Sequence, residues 1–139
     1  VPYIIMHMQG NPQNMQQNPT YEDITKELLH YFSIRLSELR QIGVHDIITD
    51  VGFGFGKTLE HNYELLSKLD LFQALDVPSI VGLSRKSMLY KPLGIDPNQA
   101  LNVTTAANTI ALQKGANILR VHDVKEAMEA LKIVQLLNN

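Results

Sequence analysis

Asp50 stands at the end of an apolar run, Ile47-Ile48-Thr49, and opens the stretch Asp50-Val51-Gly52-Phe53-Gly54-Phe55-Gly56-Lys57, in which glycines alternate with phenylalanines. Glycine lets main chain pass close to a ligand or adopt positive φ. Each phenylalanine offers a flat apolar face for stacking on a planar ring. A carboxylate held beside such a loop is suited to accept from paired N–H donors, as on an aminopyrimidine-like edge. The stretch therefore reads as a binding loop for something aromatic. The competing reading is a Gly-rich connection between strand and helix whose phenylalanines pack inward. The spacing is weaker than a nucleotide fingerprint, since a P-loop needs its Gly-Lys-Ser/Thr after a glycine and four intervening residues.

Ser84-Arg85-Lys86-Ser87 clusters cations and hydroxyls just after another apolar run. Lys86 could bond a ring carbonyl or spread its charge over an aromatic face, and Ser87 could hold a carboxylate. A solvated basic turn is the plainer alternative. Arg120 and His122 alternate, so on a strand their side chains share a face while Val121 points away. Two cation-capable groups on one face suit a phosphate or diphosphate, with arginine gripping bidentately. An arginine inside an apolar strand is costly unless paired, so an ion pair with Asp50 or Asp123 competes with anion binding. His7, between Met6 and Met8, reads as a packed or turn-capping histidine, and the two methionines as core.

These motifs need elements to hold them. Tyr3 to Met8 is a short apolar strand that breaks at Gln9-Gly10-Asn11-Pro12. A helix follows from near Thr20, where Thr20-Tyr21-Glu22-Asp23 has capping-box spacing and Ile24, Leu28, Leu29, Phe32, Leu36 and Leu39 recur at helical intervals, to Gly43. Asp46 to Thr49 is the second strand, Leu59 to Leu69 the second helix, and Leu71 to Leu75 a helical turn. Val77 to Leu83 is a third, continuously apolar strand. Asp96-Pro97 starts a third helix that runs to Gly115. Ile118 to Asp123 is the fourth strand and Lys125 to Leu137 the closing helix. Strand and helix alternate with no hairpin signal, so the expected class is α/β with four parallel βα units, and every motif falls at a strand's C-terminal end, where α/β proteins build sites. Four such units are half of a (β/α)8 barrel.

Composition sets outer limits. The chain has 139 residues, 45% hydrophobic and 19% charged, which is ordinary globular usage able to bury one core. A net charge of −2 gives no field for neutralising nucleic-acid phosphates. The absence of cysteine excludes disulfides and thiolate metal sites and fits a cytoplasmic protein. Neither a signal peptide nor a membrane span is indicated. Val1 to Met6 read as a strand already under way, so the chain is expected to be a piece of something longer.

Met6-His7-Met8-Gln9-Gly10-Asn11-Pro12, Asp50 to Lys57, Ser84-Arg85-Lys86-Ser87-Met88 and Arg120-Val121-His122-Asp123-Val124, in this order and spacing, resemble the C-terminal half of dihydropteroate synthase, across essentially the whole chain. That family is a (β/α)8 barrel of about twice this length that joins dihydropterin-6-ylmethyl diphosphate to p-aminobenzoate in folate synthesis, with Mg²⁺ assisting and sulfonamides competing. The resemblance implies a single partial domain over residues 1–139. It implies Asp50 on the pterin edge, with Met6 and Gly82 lining the floor, and Lys86 on the pterin carbonyl and over the p-aminobenzoate face. Phe53 and Phe55 would line both subsites, Ser87 would meet the p-aminobenzoate carboxylate, and Arg120 and His122 would take the diphosphate. Lys86, Arg120 and His122 are then the catalytic set, acting by positioning and electrostatics. The metal's protein ligand, two flexible loops and the rest of the pterin pocket are expected in the absent N-terminal half, so the isolated chain is expected to be inactive and to self-associate through open barrel edges or to form a homodimer.

The chain departs from the family pattern at two places. Val51 stands where proline is common, and Val103 where many relatives carry glycine; Val103 has no functional reading. Pterin-binding methyltransferase domains share the barrel and the acid-floored pocket, but Ser84 to Ser87 and Arg120 to His122 favour diphosphate and p-aminobenzoate. A non-catalytic half-barrel that binds only its complement is the third possibility.

Overall fold

A computed structural model of the chain describes residues 1–10, 13 and 19–139. In chain order its elements are β1 (Tyr3–Met6), α1 (Ile24–Gln41), β2 (Ile47–Asp50), α2 (Leu59–Ser67), a 3-10 stretch (Leu69–Leu75), β3 (Ile80–Gly82), α3 (Ser87–Tyr90), 3-10 turns at Lys91–Leu93 and Pro97–Gln99, α4 (Leu101–Gln113), β4 (Ile118–Arg120) and α5 (Val124–Leu137). β1 pairs with β2 and β3 with β4, both parallel, and a parallel bridge from Thr49 to Ser79 joins the two pairs. The Thr49 N–H also donates to the Pro78 carbonyl at 3.0 Å. The expected α/β class with parallel strands is what the chain adopts. No helix among the described residues is long and apolar enough to cross a membrane.

The helices form where apolar spacing allows one face to be buried. In α1, Ile24, Leu28, Phe32 and Leu36 recur every fourth residue and are all buried. The helix starts later than the capping-box spacing suggests. Thr20 cannot cap, because its main chain is clasped by the Gln9 amide, which donates to the Thr20 carbonyl at 2.9 Å and accepts from its N–H at 3.1 Å. Asp23 caps instead, accepting from the Lys26 N–H at 3.1 Å. Gly43 ends the turn at φ +90, a conformation open to glycine at little cost.

The core lies between the strands and α1, α2 and α4, with Phe32, Phe53, Leu28, Leu65, Val81 and Leu83 fully enclosed. Each such side chain contributes about 1.5–3 kcal/mol on burial. Phe32 meets Phe72 edge-on with ring centres 6.2 Å apart. These contacts seat β2 and β3, and therefore their C-terminal ends, on a rigid base.

Two strands stop short of expectation. The start of the third is irregular because Asn117 intervenes: its Oδ1 accepts from Ser79 N–H at 3.0 Å, while Asn117 and Ile118 N–H both donate to Ser79 carbonyl oxygen. The fourth ends at Arg120, since the His122 N–H turns to the Ser84 hydroxyl at 3.1 Å. The alternation expected to put His122 on Arg120's face therefore does not extend beyond the strand. The third helix begins as the separate Pro97–Gln99 turn, with Asp96 and Gln99 bonding reciprocally, before α4 starts at Leu101.

Candidate active site

Each strand ends on a residue singled out above, and the ladders pair them, Met6 with Asp50 and Gly82 with Arg120. Asp50 is the centre of the site. Only 2% of it is exposed, yet both carboxylate oxygens are engaged. Oδ1 accepts from the Gly52 N–H at 2.9 Å, and Oδ2 accepts from Arg120 Nη1 at 3.3 Å. The ion pair that competed with anion binding for Arg120 is thus formed, across the space between β2 and β4. Gly82 makes room for it. A Cβ on Gly82 would collide with the Arg120 guanidinium, so the absent side chain is what lets the arginine reach back to Asp50.

The Gly-rich loop is folded tightly over this carboxylate. Gly52, at φ +75, lies against the His7 carbonyl, where any Cβ would clash. The Gly54 N–H donates to Asn62 Oδ1 at 2.9 Å, and the Tyr21 hydroxyl donates to the Gly56 carbonyl at 3.0 Å. Phe53 and Phe55 diverge. The ring of Phe53 is fully buried in the core, so residue 53 faces the site through its main chain, whereas Phe55 is half-buried beside Lys86.

Two lysines hold the loop. Lys86 Nζ donates to the Phe53 carbonyl at 2.6 Å and sits 5.2 Å from the centre of the Phe55 ring. Burial above all pushes its amine down to about 8, with Asp50 opposing and Arg120 adding to the shift. Lys57, quoted above only as the last residue of the loop, is 3% exposed. Its amine donates to the carbonyls of Gly52 and Phe55 at 2.9 Å and of His7 at 3.3 Å. Burial pushes it down to about 7, against the pull of Asp50. One buried carboxylate is therefore ringed by Lys57, Lys86 and Arg120, a positive surround that suits an anionic ligand.

The remaining expected residues lie outward. Met6 is half-buried at the end of β1, Ser87 is exposed at the first position of α3, and His122 is exposed beyond β4. His7 is packed, as its setting between methionines suggested: its ring meets Tyr31 edge-on at 5.0 Å and Tyr21 at 6.0 Å. Burial, with Lys57 adding to it, pushes its imidazole down to about 4, and its Nδ1 has no hydrogen-bond partner among the described residues. The support given by Lys57, Asn62 and Tyr21 was not legible in the sequence, because each acts on main-chain groups of a loop whose path only the fold defines. Among the described residues no three His, Cys, Asp or Glu side chains are grouped to hold a metal ion.

A family profile described as pterin binding enzyme matches residues 1–122. The chain belongs to that family. It is 44% identical to dihydropteroate synthase of Escherichia coli K12 over 137 residues, covering 97% of this chain and 49% of that protein. Its fold matches the crystal structure of Yersinia pestis dihydropteroate synthase in a sulfonamide drug complex with a TM-score of 0.96 at 41% identity, over 99% of this chain and 51% of that one. It also matches Thermus thermophilus dihydropteroate synthase in complex with 6HMPPP, with a TM-score of 0.94 at 38% identity, over 100% of this chain and 56% of that one. The same enzyme in complex with 4-aminobenzoate matches equally well, with a TM-score of 0.94 at 38% identity, over 100% of this chain and 58% of that one. The chain spans about half the length of the curated relatives it matches.

Proposed function

We propose that these 139 residues are the C-terminal half of a (β/α)8 barrel and one partial domain of a cytoplasmic dihydropteroate synthase. The observation that carries this reading is the buried Asp50 carboxylate at a strand end, ringed by Arg120, Lys86 and Lys57. A pterin presents paired N–H donors on its amino-pyrimidine edge, and Asp50 is the acceptor for them. Lys86 stands beside Asp50 and over Phe55, within reach of the ring carbonyl on one side and the p-aminobenzoate face on the other. Ser87 takes the p-aminobenzoate carboxylate. Arg120, freed from Asp50, and His122 take the diphosphate.

The reaction is a displacement at the methylene carbon. The carbon–oxygen bond to the diphosphate breaks with its electron pair leaving on oxygen, the p-aminobenzoate nitrogen bonds the carbon, and the ammonium so formed releases its proton to solvent. The side chains here position both partners and hold the departing charge. Met6 and Gly82 line the floor. Mg²⁺ is the family's expected assistant, but among the described residues no three His, Cys, Asp or Glu side chains are grouped to hold it. Asp50 is already engaged by Gly52 and Arg120.

The exposed apolar residues Tyr3 and Ile4 on β1, and Ile118 on β4, support the half-barrel reading, since these are the strands a complementary half would cover. The isolated chain then holds the pterin floor without a complete site and is inactive alone. Calorimetric titration with a pterin tests this, together with Asp50→Ala and Lys86→Ala. Binding lost in both variants supports the floor assignment. Turnover of p-aminobenzoate after mixing with the N-terminal half of a relative supports the synthase, and pterin binding without that turnover favours a methyltransferase-type domain. Absence of pterin binding in both the chain and the mixture overturns the reading.

A further inference from the structure

Arg85 and Asp123 sit inside two of the motifs but have no role in the site as described. Arg85 is one of two non-glycine residues at positive φ among the described residues, at +54, and the other, Asp76, ends a 3-10 stretch. A bulky residue persists in that conformation only when its surroundings over-determine it. They do so here from three sides. The Arg85 N–H donates to the buried Thr104 hydroxyl at 3.0 Å. Nε and Nη2 grip Asp123 bidentately at 3.1 Å each, and Nη1 donates to the Pro97 carbonyl at 2.7 Å. Asp123 is the residue preceding α5, yet its carboxylate makes no cap bond to that helix, because the guanidinium holds it. On the neighbouring residue, the Ser84 hydroxyl accepts from the His122 N–H. The turn after β3 is thus tied twice to the segment after β4, and the next residue, Lys86, is turned inward onto Phe53.

We propose that Arg85 is a positioning residue: its clamp on Asp123 and Pro97 locks the left-handed turn that aims the Lys86 amine into the site and holds it at a set distance from Arg120 and His122. The inference rests on the reading of Lys86 as a substrate-binding residue, and it is distinct from it, since the aim of Lys86 can be measured without substrate.

The test follows the Lys86 amine by NMR of labelled lysine in the chain, with Lys86→Arg to assign the signal. In the unmutated chain Lys86, whose amine burial pushes down to about 8, is expected to titrate there. Arg85→Ala and Asp123→Asn each let it swing into solvent and titrate towards its ordinary 10.5, while amide spectra stay folded. Arg85→Gly separates the two causes, because it relieves the backbone and deletes the clamp. It is expected to match Arg85→Ala, and a Lys86 that still titrates near 8 in Arg85→Gly overturns the proposal. The exchanged pair Arg85→Asp with Asp123→Arg, should Arg85→Ala not fold, is expected to return the signal part of the way; no return overturns the clamp. In the assembly with a relative's N-terminal half, Arg85→Ala is expected to lower kcat/KM for p-aminobenzoate about 10- to 100-fold. A Lys86 signal that moves while turnover is absent even in the unmutated assembly supports the clamp and counts against the synthase reading alone.

Discussion

The Arg120 guanidinium reaches back 70 positions in sequence to Asp50, so the residue proposed to hold the leaving anion rests on the residue proposed to hold the ring. The pair is asymmetric: the Asp50 side chain is 2% exposed and that of Arg120 53%. A half-exposed arginine adds little to stability here, and it is free to leave. On the proposed function, a pterin that presents N–H donors to Asp50 would take over the arginine's role and release it towards the diphosphate, linking the two proposed subsites.

Asp50→Asn tests the acceptor side of that link. The amide keeps the shape of the carboxylate but loses its charge, and a hydrogen bond to a charged acceptor is worth about 1.5–3 kcal/mol. Pterin affinity measured by calorimetry is expected to fall at least tenfold. Free diphosphate, with Arg120 no longer held, is expected to bind slightly better. Unchanged pterin affinity removes Asp50 from the floor.

Two glycines separate folding from function. Gly52→Ala forces a Cβ at φ +75 against the His7 carbonyl, which is main chain and cannot retreat. It is expected to lower unfolding stability by ~2 kcal/mol or more in urea titration. Gly82→Ala meets only the end of the Arg120 side chain, which can swing away. Its stability is expected to change by less than ~1 kcal/mol, while free diphosphate is expected to bind slightly better, as in Asp50→Asn, because Arg120 is displaced from Asp50. A large loss of stability in Gly82→Ala would show that Arg120 is locked in place.

How much of this was readable beforehand depends on whether the information was local. Strand and helix alternation follows from apolar spacing, as in Ile24, Leu28, Phe32 and Leu36, and so the parallel α/β class was legible. The Gly-rich loop and the strand-end placement of Asp50 and Arg120 were legible for the same reason. Element boundaries failed where a distant side chain intervened: Gln9 took the main chain of Thr20, and Asn117 that of Ser79. Whether Arg120 pairs with Asp50 or Asp123 was undecidable in sequence, because both acids lie near strand ends. The fold decides it by giving Asp123 to Arg85. The two phenylalanines look equivalent in an alternating loop, but positive φ at Gly52 and Gly54 turns Phe53 into the core and leaves Phe55 beside Lys86.

Buried His7 and Lys57 make stability depend on pH in one direction. The folded imidazole lies at about 4 against an ordinary 6.5, so its contribution is fully present above 6.5 and is lost as pH falls towards 4, amounting to about 3 kcal/mol. The Lys57 amine lies at about 7 against 10.5, so its contribution is present above 10.5 and is lost as pH falls through 7. Unfolding stability is therefore expected to climb with pH in both windows. His7→Gln should flatten the acidic limb and Lys57→Met the alkaline one, read from urea melts across the range. Parallel curves for Lys57→Met and the unmutated chain would mean that Lys57 titrates as if exposed.

The open strand edges carry the last prediction. β1 exposes Tyr3 at 52% and Ile4 at 49%, and β4 exposes Ile118 at 38%, with Val124 and Met128 of α5 uncovered nearby. Edge strands with unpaired main-chain groups and apolar side chains pair with other chains unless blocked by charge. The chain is expected to self-associate at micromolar concentration, with a light-scattering mass well above 15.7 kDa. Ile4→Lys combined with Ile118→Lys places a charge on each edge and is expected to return the monomer mass, while the helix-facing core and its thermal transition stay intact. The N-terminal half of a relative is expected to compete with self-association in the unmutated chain and to fail in the double variant, because both processes use the same two edges. An unmutated chain that stays at the monomer mass would mean that the edges are blunted in some other way, and the half-barrel reading would lose its main physical consequence.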